Sequence, residues 1–293
     1  MKVHVLGSGS EGNAIVIESG RQRLMVDAGF GMRELARRMK LVDVQPDTVT
    51  GLIVTHEHHD HVRGAGAAAR RWSWPVYGTA GTFDGGGRRK VADGGRPRAE
   101  TSMPVAVAVE PSSPRAGRRR RIVKQVVDTH REVILDDFAV RFIRAPHDAR
   151  EPVALVATVR STGERVGIAY DIGHISERFM RHFTDVDILL LESNHDSRML
   201  MTGPYPWTLK QRVAGPNGHI SNDEAGLMAR ACAHRGLRHI VLCHLSKVNN
   251  RPDIAIRAMK GALRGSAFRG TLQAAPQDQP ITLGERAQFE LAL

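Results

Sequence analysis

The sequence predicts an α/β protein, a layered sandwich of sheets and helices. Short apolar, β-branched runs recur along the chain, segments of helical length separate them, and His and Asp residues stand where several of the runs end. In chain order, strands are expected at about 2–6, 14–18 and 23–27, then a helix near 32–40 and a strand near 51–55. A helix of small residues follows near 62–71. Strands return near 133–144, 153–159, 165–170 and 187–192. Ser221-x-x-Glu224 reads as a capping box that opens a helix to about His234, because the hydroxyl can take the N3 amide while the carboxylate returns to the cap amide. A strand near 239–243 and a helix from about 253 to 263 complete that unit, and residues around 270–292 read as one or two closing strands. The 293 residues suffice for one domain with a substantial core, and no change in composition demands a second.

Composition narrows the function classes. No stretch approaches the apolar length of a membrane span, and Met1-Lys2 leads straight into a strand without a longer apolar leader, so a cytoplasmic enzyme with no membrane partner is expected. No obligate protein partner is readable. Gly7-x-Gly9-x-x-Gly12 formally matches a dinucleotide fingerprint, but that motif must open a helix. Ala14-Ile15-Val16-Ile17-Glu18 is instead β-branched and strand-like, which fits a Gly-rich hairpin or bulge. Two cysteines give no disulfide framework, and Cys243 reads as a small core residue.

The chemistry is concentrated in Thr55-His56-Glu57-His58-His59-Asp60-His61, directly after the apolar run Gly51-Leu52-Ile53-Val54. An extended backbone alternates its side chains, so His56 and His58 point the same way and can grip one ion. Asp60 and His61 fall where the chain turns and can face a second. Imidazoles and a carboxylate suit Zn²⁺ or Mn²⁺ without a thiolate. Such a window holds only part of a two-metal site. Three downstream runs deliver the rest: Phe142–Pro146 leads to His147, Val166–Tyr170 to Asp171, and His239–Cys243 to His244. His4, His130, His182 and His234 lack such context and are expected at the surface. His59 and His174 are left unassigned.

The His-x-His-x-Asp-His core, followed by single His, Asp and His residues in that order, resembles the metallo-β-lactamase superfamily. Asp27, after Arg23-Leu24-Met25-Val26, matches its early aspartate. Gly7-Ser8-Gly9-Ser10-Glu11-Gly12-Asn13, Pro146-His147-Asp148-Ala149, Leu191-Glu192-Ser193-Asn194-His195-Asp196, Gly218-His219-Ile220-Ser221-Asn222 and Cys243-His244-Leu245-Ser246 with Asn249-Asn250 are similar to the YycJ/WalJ-type branch, bacterial proteins linked to 5′→3′ exonuclease activity on double-stranded DNA. The resemblance runs to about Pro252 and is interrupted at about 85–121. It implies the four-layered αββα fold, two facing sheets with helices outside.

It also implies a ligand set: His56, His58 and His147 for one divalent ion, Asp60, His61 and His244 for the other, and Asp171 bridging. A water held as hydroxide between the ions would be the nucleophile. With neutral imidazoles, two divalent ions outweigh the carboxylates, so the centre favours an anionic phosphodiester. Asp60, His195 and His219 are the candidate catalytic residues. The two histidines are candidates for protonating the leaving oxygen, against the alternative that each merely caps a helix or satisfies a carbonyl. Glu192 and Gly218-His219 resemble in placement motifs of ribonuclease Z relatives, so an RNA-processing nuclease is an alternative. So are a small-molecule ester, thioester or cyclic-phosphate hydrolase and a non-catalytic regulator on the same scaffold.

Lys and Arg number 42 against 31 Asp and Glu, a formal net charge of +11, which supports a polyanionic partner without naming one. Much of the excess lies between Gly85 and Arg121: Arg88, Arg89, Lys90, Arg96, Arg98, Arg115 and Arg118 to Arg121, opposed by Asp93, Glu100 and Glu110. A solvated insertion loop is the plainer reading of this segment, and a basic arm following a phosphate backbone the functional one.

Overall fold

A computed structural model describes residues 1–84 and 121–284, which form two seven-stranded mixed sheets. The first contains β1 (Lys2–Gly7), β2 (Ala14–Ser19), β3 (Gln22–Val26), β4 (Val49–Ile53), β5 (Val76–Gly78) and β6 (Lys124–Val126). The second contains β7 (Glu132–Leu135), β8 (Phe138–Arg144), β9 (Val153–Val159), β10 (Arg165–Ala169), β11 (Ile188–Glu192), β12 (His239–Cys243) and β13 (Thr271–Ala274). β14 (Ile281–Leu283) returns to the first sheet beside β1. The spatial orders are β14-β1-β2-β3-β4-β5-β6 and β13-β12-β11-β10-β9-β8-β7.

Near-continuous apolar runs let these strands bury both faces, with successive side chains pointing to opposite sides. Val3 and Val5 of β1, Ile15 and Ile17 of β2, and Leu24 and Val26 of β3 meet Phe138, Val140 and Phe142 of β8, Val166 and Ile168 of β10, and Ile188 and Leu190 of β11 between the sheets. The intervening residues face outward under helices. Leu6, Val16 and Met25 pack beneath α1 (Met32–Leu41) and, beyond the short α2 (His59–Val62), α3 (Ala65–Trp72). α4 (Ala80–Asp84) ends this half of the described chain. On the second sheet, Leu189, Leu191, Ile240 and Leu242 pack beneath α5 (Glu177–Met180) and, past α6 (Ser197–Thr202) and α7 (Trp207–Val213), beneath α8 (Asn222–Ala231) and α9 (Pro252–Ala262). Three buried clusters therefore fill the three interfaces of a four-layered αββα sandwich.

The expected capping box is complete. Ser221 Oγ accepts from the Glu224 amide and Glu224 Oε2 accepts from the Ser221 amide. The Gly7–Gly12 segment leads into a strand paired antiparallel with β1. Cys243 is buried between the sheets, and burial pushes its thiol up to about 12.

Some expectations are corrected. The single strand near 133–144 is a hairpin, because Asp136 takes a left-handed φ of 54° in a tight turn that pairs Leu135 with Phe138. His4 is 4% exposed rather than at the surface, with Nδ1 2.9 Å from Thr282 Oγ1, since β14 covers it. His182 and His234 are half-buried, whereas His130 is exposed as expected. Most of the basic segment at about 85–121, including the apolar run Pro104–Val109, lies outside the described residues. Arg121 is described and exposed. Among the described residues no helix is long and apolar enough to cross a membrane.

Candidate metal centre

The ligand-type side chains sit where strands of both sheets end. Asp27 follows β3, His56 to His61 follow β4, His147 follows β8, Asp171 follows β10, Glu192 ends β11 and His244 follows β12. Asp27, Asp171 and His244 each adopt a left-handed φ, of 57°, 54° and 53°. A non-glycine residue in that region is strained, and the three turn their chains out of the strand at the one mouth where the sheets meet. Two glycines let the loops close on it. A Cβ on Gly29 would lie 1.6 Å from the Asp60 carbonyl oxygen, and one on Gly173 would lie 2.5 Å from the Gly218 nitrogen.

His56, His58 and His147 form one group of donors, each offering a nitrogen within 4.8 Å of the others. The Thr55 hydroxyl donates to Asp27 Oδ2 at 2.8 Å and so accepts from His56 Nδ1 at 3.0 Å. That fixes the tautomer and leaves His56 Nε2 buried with no hydrogen-bond partner. His147 Nδ1 donates to the Gly218 carbonyl at 2.9 Å, which leaves Nε2 facing His58 Nδ1 at 3.3 Å. Backbone and hydroxyl partners orienting ring nitrogens away from a shared focus are what metal-binding imidazoles require.

A second group joins Asp60, His61 and His244. His61 Nδ1 donates to the fully buried Asp27 at 2.7 Å, and Tyr170 Oη donates to the same oxygen at 2.6 Å. His61 Nε2 then lies 2.9 Å from Asp171 Oδ2. His244 Nε2 is 3.2 Å from Asp60 Oδ2 and 3.6 Å from Asp171 Oδ1. Asp171 Oδ1 also lies 3.8 Å from His147 Nε2, so this one carboxylate reaches both groups. Beneath them, the Asn13 amide nitrogen is 3.3 Å from Asp60 Oδ2 and 3.2 Å from His61 Nε2, and Ser8 Oγ accepts from the His244 amide at 2.9 Å.

Burial drives His56 and His147 below the usual imidazole range, which favours the neutral form a metal takes. Burial also opposes charge on His61 and His244, but carboxylates overcome it. Asp60, Asp171 and Asp27 hold His61 well above its ordinary value, and Asp171, Asp60 and Glu192 raise His244 to about 10. The orphaned His56 nitrogen, converging imidazoles and a carboxylate between two donor sets fit bound divalent cations, which would replace protons on these rings.

Every expected ligand reaches the mouth. His219 comes closer than expected: its Nδ1 is 2.7 Å from Glu192 Oε1 and 3.5 Å from Asp171 Oδ1, and it forms a donor group with Asp171, Glu192 and His244. His195 stands apart from every donor group among the described residues. It is buried, its backbone oxygen accepts from the Asn222 amide at 2.9 Å, and burial lowers its pKa. The orienting roles of Asn13, Thr55, Tyr170 and Glu192 were not assigned from the sequence. Position after a strand would have flagged Tyr170 and Glu192, but Asn13 has only its place in the Gly-rich segment.

Residues 7–133 match the model of the Metallo-beta-lactamase superfamily. The chain is similar to exodeoxyribonuclease YycJ of Bacillus anthracis, at 28% identity over 90% of this chain and 89% of that protein. It is similar to exodeoxyribonuclease WalJ of Streptococcus pneumoniae strain D39, at 28% identity over 89% of this chain and 88% of that protein. The solved metallo-beta-lactamase fold protein YhfI from Bacillus subtilis shares the fold, with a TM-score of 0.63 and 17% identity, covering 97% of this chain and 99% of that one.

Proposed function

We propose that this chain, a hydrolase of the metallo-β-lactamase superfamily, is a phosphodiesterase that degrades DNA as a 5′→3′ exonuclease. The observation that carries the reading is likeness along 90% of the chain to an exodeoxyribonuclease, in a chain whose His and Asp donors converge on one mouth. The reading takes residues 1–293 as one hydrolase domain with a basic insertion at about 85–121, and a cytoplasmic location goes with a DNA substrate.

In this reading His56, His58 and His147 would hold one divalent ion and Asp60, His61 and His244 a second, with Asp171 within reach of both donor groups. Zn²⁺ and Mn²⁺ both suit the donors. When bound, such a pair lowers the pKa of water and stabilises charge on the attacking and leaving oxygens of a phosphodiester. The chain's own residues do the rest. Asp27 and Thr55 hold the rings of His61 and His56, and Asn13 steadies Asp60. Glu192 outweighs burial and raises the pKa of His219, whose Nδ1 it holds. His219 Nε2 makes no hydrogen bond among the described residues, and at this atom the ring can hand a proton to the leaving oxygen.

Elemental analysis combined with activity tests this reading. Purified protein is expected to carry about two divalent ions per chain, with chelation removing nuclease activity and either Zn²⁺ or Mn²⁺ restoring it. Full activity with at most one tightly held ion contradicts the dinuclear centre.

A further inference from the structure

Beside the metal mouth runs an open groove of about 710 Å³, on the side of the second sheet where β7 and β8 meet α5. Two loops link its lining to the mouth. Pro146, which lines it, immediately precedes His147, and its carbonyl accepts from the Gly173 amide at 2.7 Å. His174, three residues past Asp171, lines it as well. In β7, Glu132 lies opposite Arg141, so residues 129–131 extend along the groove in the direction of Arg144 and the mouth.

The lining is strongly basic. Arg131, Arg141, Arg144 and Arg178 line it, with Glu132 the sole carboxylate among the lining residues. Arg144 is paired with Glu151 at 2.8 Å. Arg131, Arg141 and Arg178 are exposed and form no ion pair among the described residues. Their charge acts within the groove: burial, Arg141 and Arg178 together push His182 below the usual imidazole range. The two phenylalanines that line the groove, Phe142 and Phe179, are buried, and the exposed rings on its lining are the imidazoles of His130 and His174. Unpaired guanidiniums suit phosphate oxygens, and contacts to phosphate carry no sequence readout.

We propose that this groove holds the sugar–phosphate backbone of the nucleic-acid substrate, with Arg131, Arg141 and Arg178 contacting successive phosphates next to the one at the metal mouth. This rests on the phosphodiesterase reading and adds to it a binding track outside the donor set. Because contact is with the backbone, the track raises affinity for polymers without distinguishing sequences, and a small phosphodiester that reaches only the mouth gains nothing from it.

The test replaces all three arginines (Arg131→Gln, Arg141→Gln, Arg178→Gln) and measures duplex DNA affinity across a salt series. The log–log salt slope is expected to fall in magnitude by roughly 2–3, about 0.9 per lost phosphate contact. Metal content and hydrolysis of bis-p-nitrophenyl phosphate should be unchanged, which also shows that the variant is folded. The matching Lys variant, which keeps the charges, should retain most of the slope. If the unaltered protein cleaves DNA but the Gln variant keeps its slope and affinity, the groove assignment is wrong and the phosphodiesterase reading stands. If the unaltered protein neither binds nor cleaves any polynucleotide, that reading falls and the groove assignment with it.

Discussion

Asp171→Ala is expected to strip the protein of divalent metal and of hydrolytic activity together. Asp171 is 3% exposed and sits in a left-handed conformation after β10, where its oxygens approach His61 at 2.9 Å, His219 at 3.5 Å, His244 at 3.6 Å and His147 at 3.8 Å. No other carboxylate among the described residues approaches both the His56, His58, His147 group and the Asp60, His61, His244 group. Alanine removes the charge that would balance two cations and leaves the raised pKa values of His61 and His244 without one of their main supports. The expected loss of rate is at least about 10³-fold, the scale of losing a principal stabiliser of transition-state charge. Asp171→Asn separates charge from shape, because asparagine tolerates the left-handed conformation. It should lose metal as the alanine variant does while keeping the thermal transition of the metal-free protein nearer to wild type. A variant that kept both metal and rate would remove Asp171 from the centre.

The positions that converge on the mouth were legible because each group follows an apolar run, and a strand end is where a sheet can project a side chain into a shared mouth. Continuous apolar, β-branched runs likewise made the longer strands legible, since both faces of each sheet are covered. What escaped has physical causes too. β5 and β6 are three residues long, too short for periodicity to declare them. The hairpin between β7 and β8 turns on Asp136 and Asp137, without the glycine that usually marks such a turn. His4 looked like any unassigned histidine, because its burial depends on β14, nearly 280 residues away in sequence. The strain at Asp27, Asp171 and His244 leaves no mark in composition. His195 and His219 were indistinguishable as motif residues. Only the tertiary placement of Glu192 separates them, holding one ring at the mouth and leaving the other outside the donor groups.

That separation gives the second large effect. His219→Ala should keep its metal yet slow turnover on DNA by roughly 10²–10⁴-fold, the range for a lost general acid. Glu192 raises the pKa of His219, so the ring keeps its proton to higher pH than an ordinary imidazole and loses it as pH rises through that raised value. The wild-type rate should therefore fall on the alkaline side, and the alanine variant should lack that limb. His195→Ala should show the smaller loss of rate, with its main cost in stability, because its ring is buried away from the donors. Equal and large losses in both variants, or wild-type rates in both, would contradict the assignment of the proton to His219.

The most direct test of the whole account is a time course on duplex DNA labelled at either the 5′ or the 3′ end, with matched RNA alongside, using metal-loaded protein and Asp171→Ala as the control. The expected result is early release of the 5′ label as a short product, a 3′-labelled strand that shortens progressively, slower attack on RNA, and no reaction from the variant. Intact DNA under conditions where the same protein hydrolyses RNA or a small ester would contradict it.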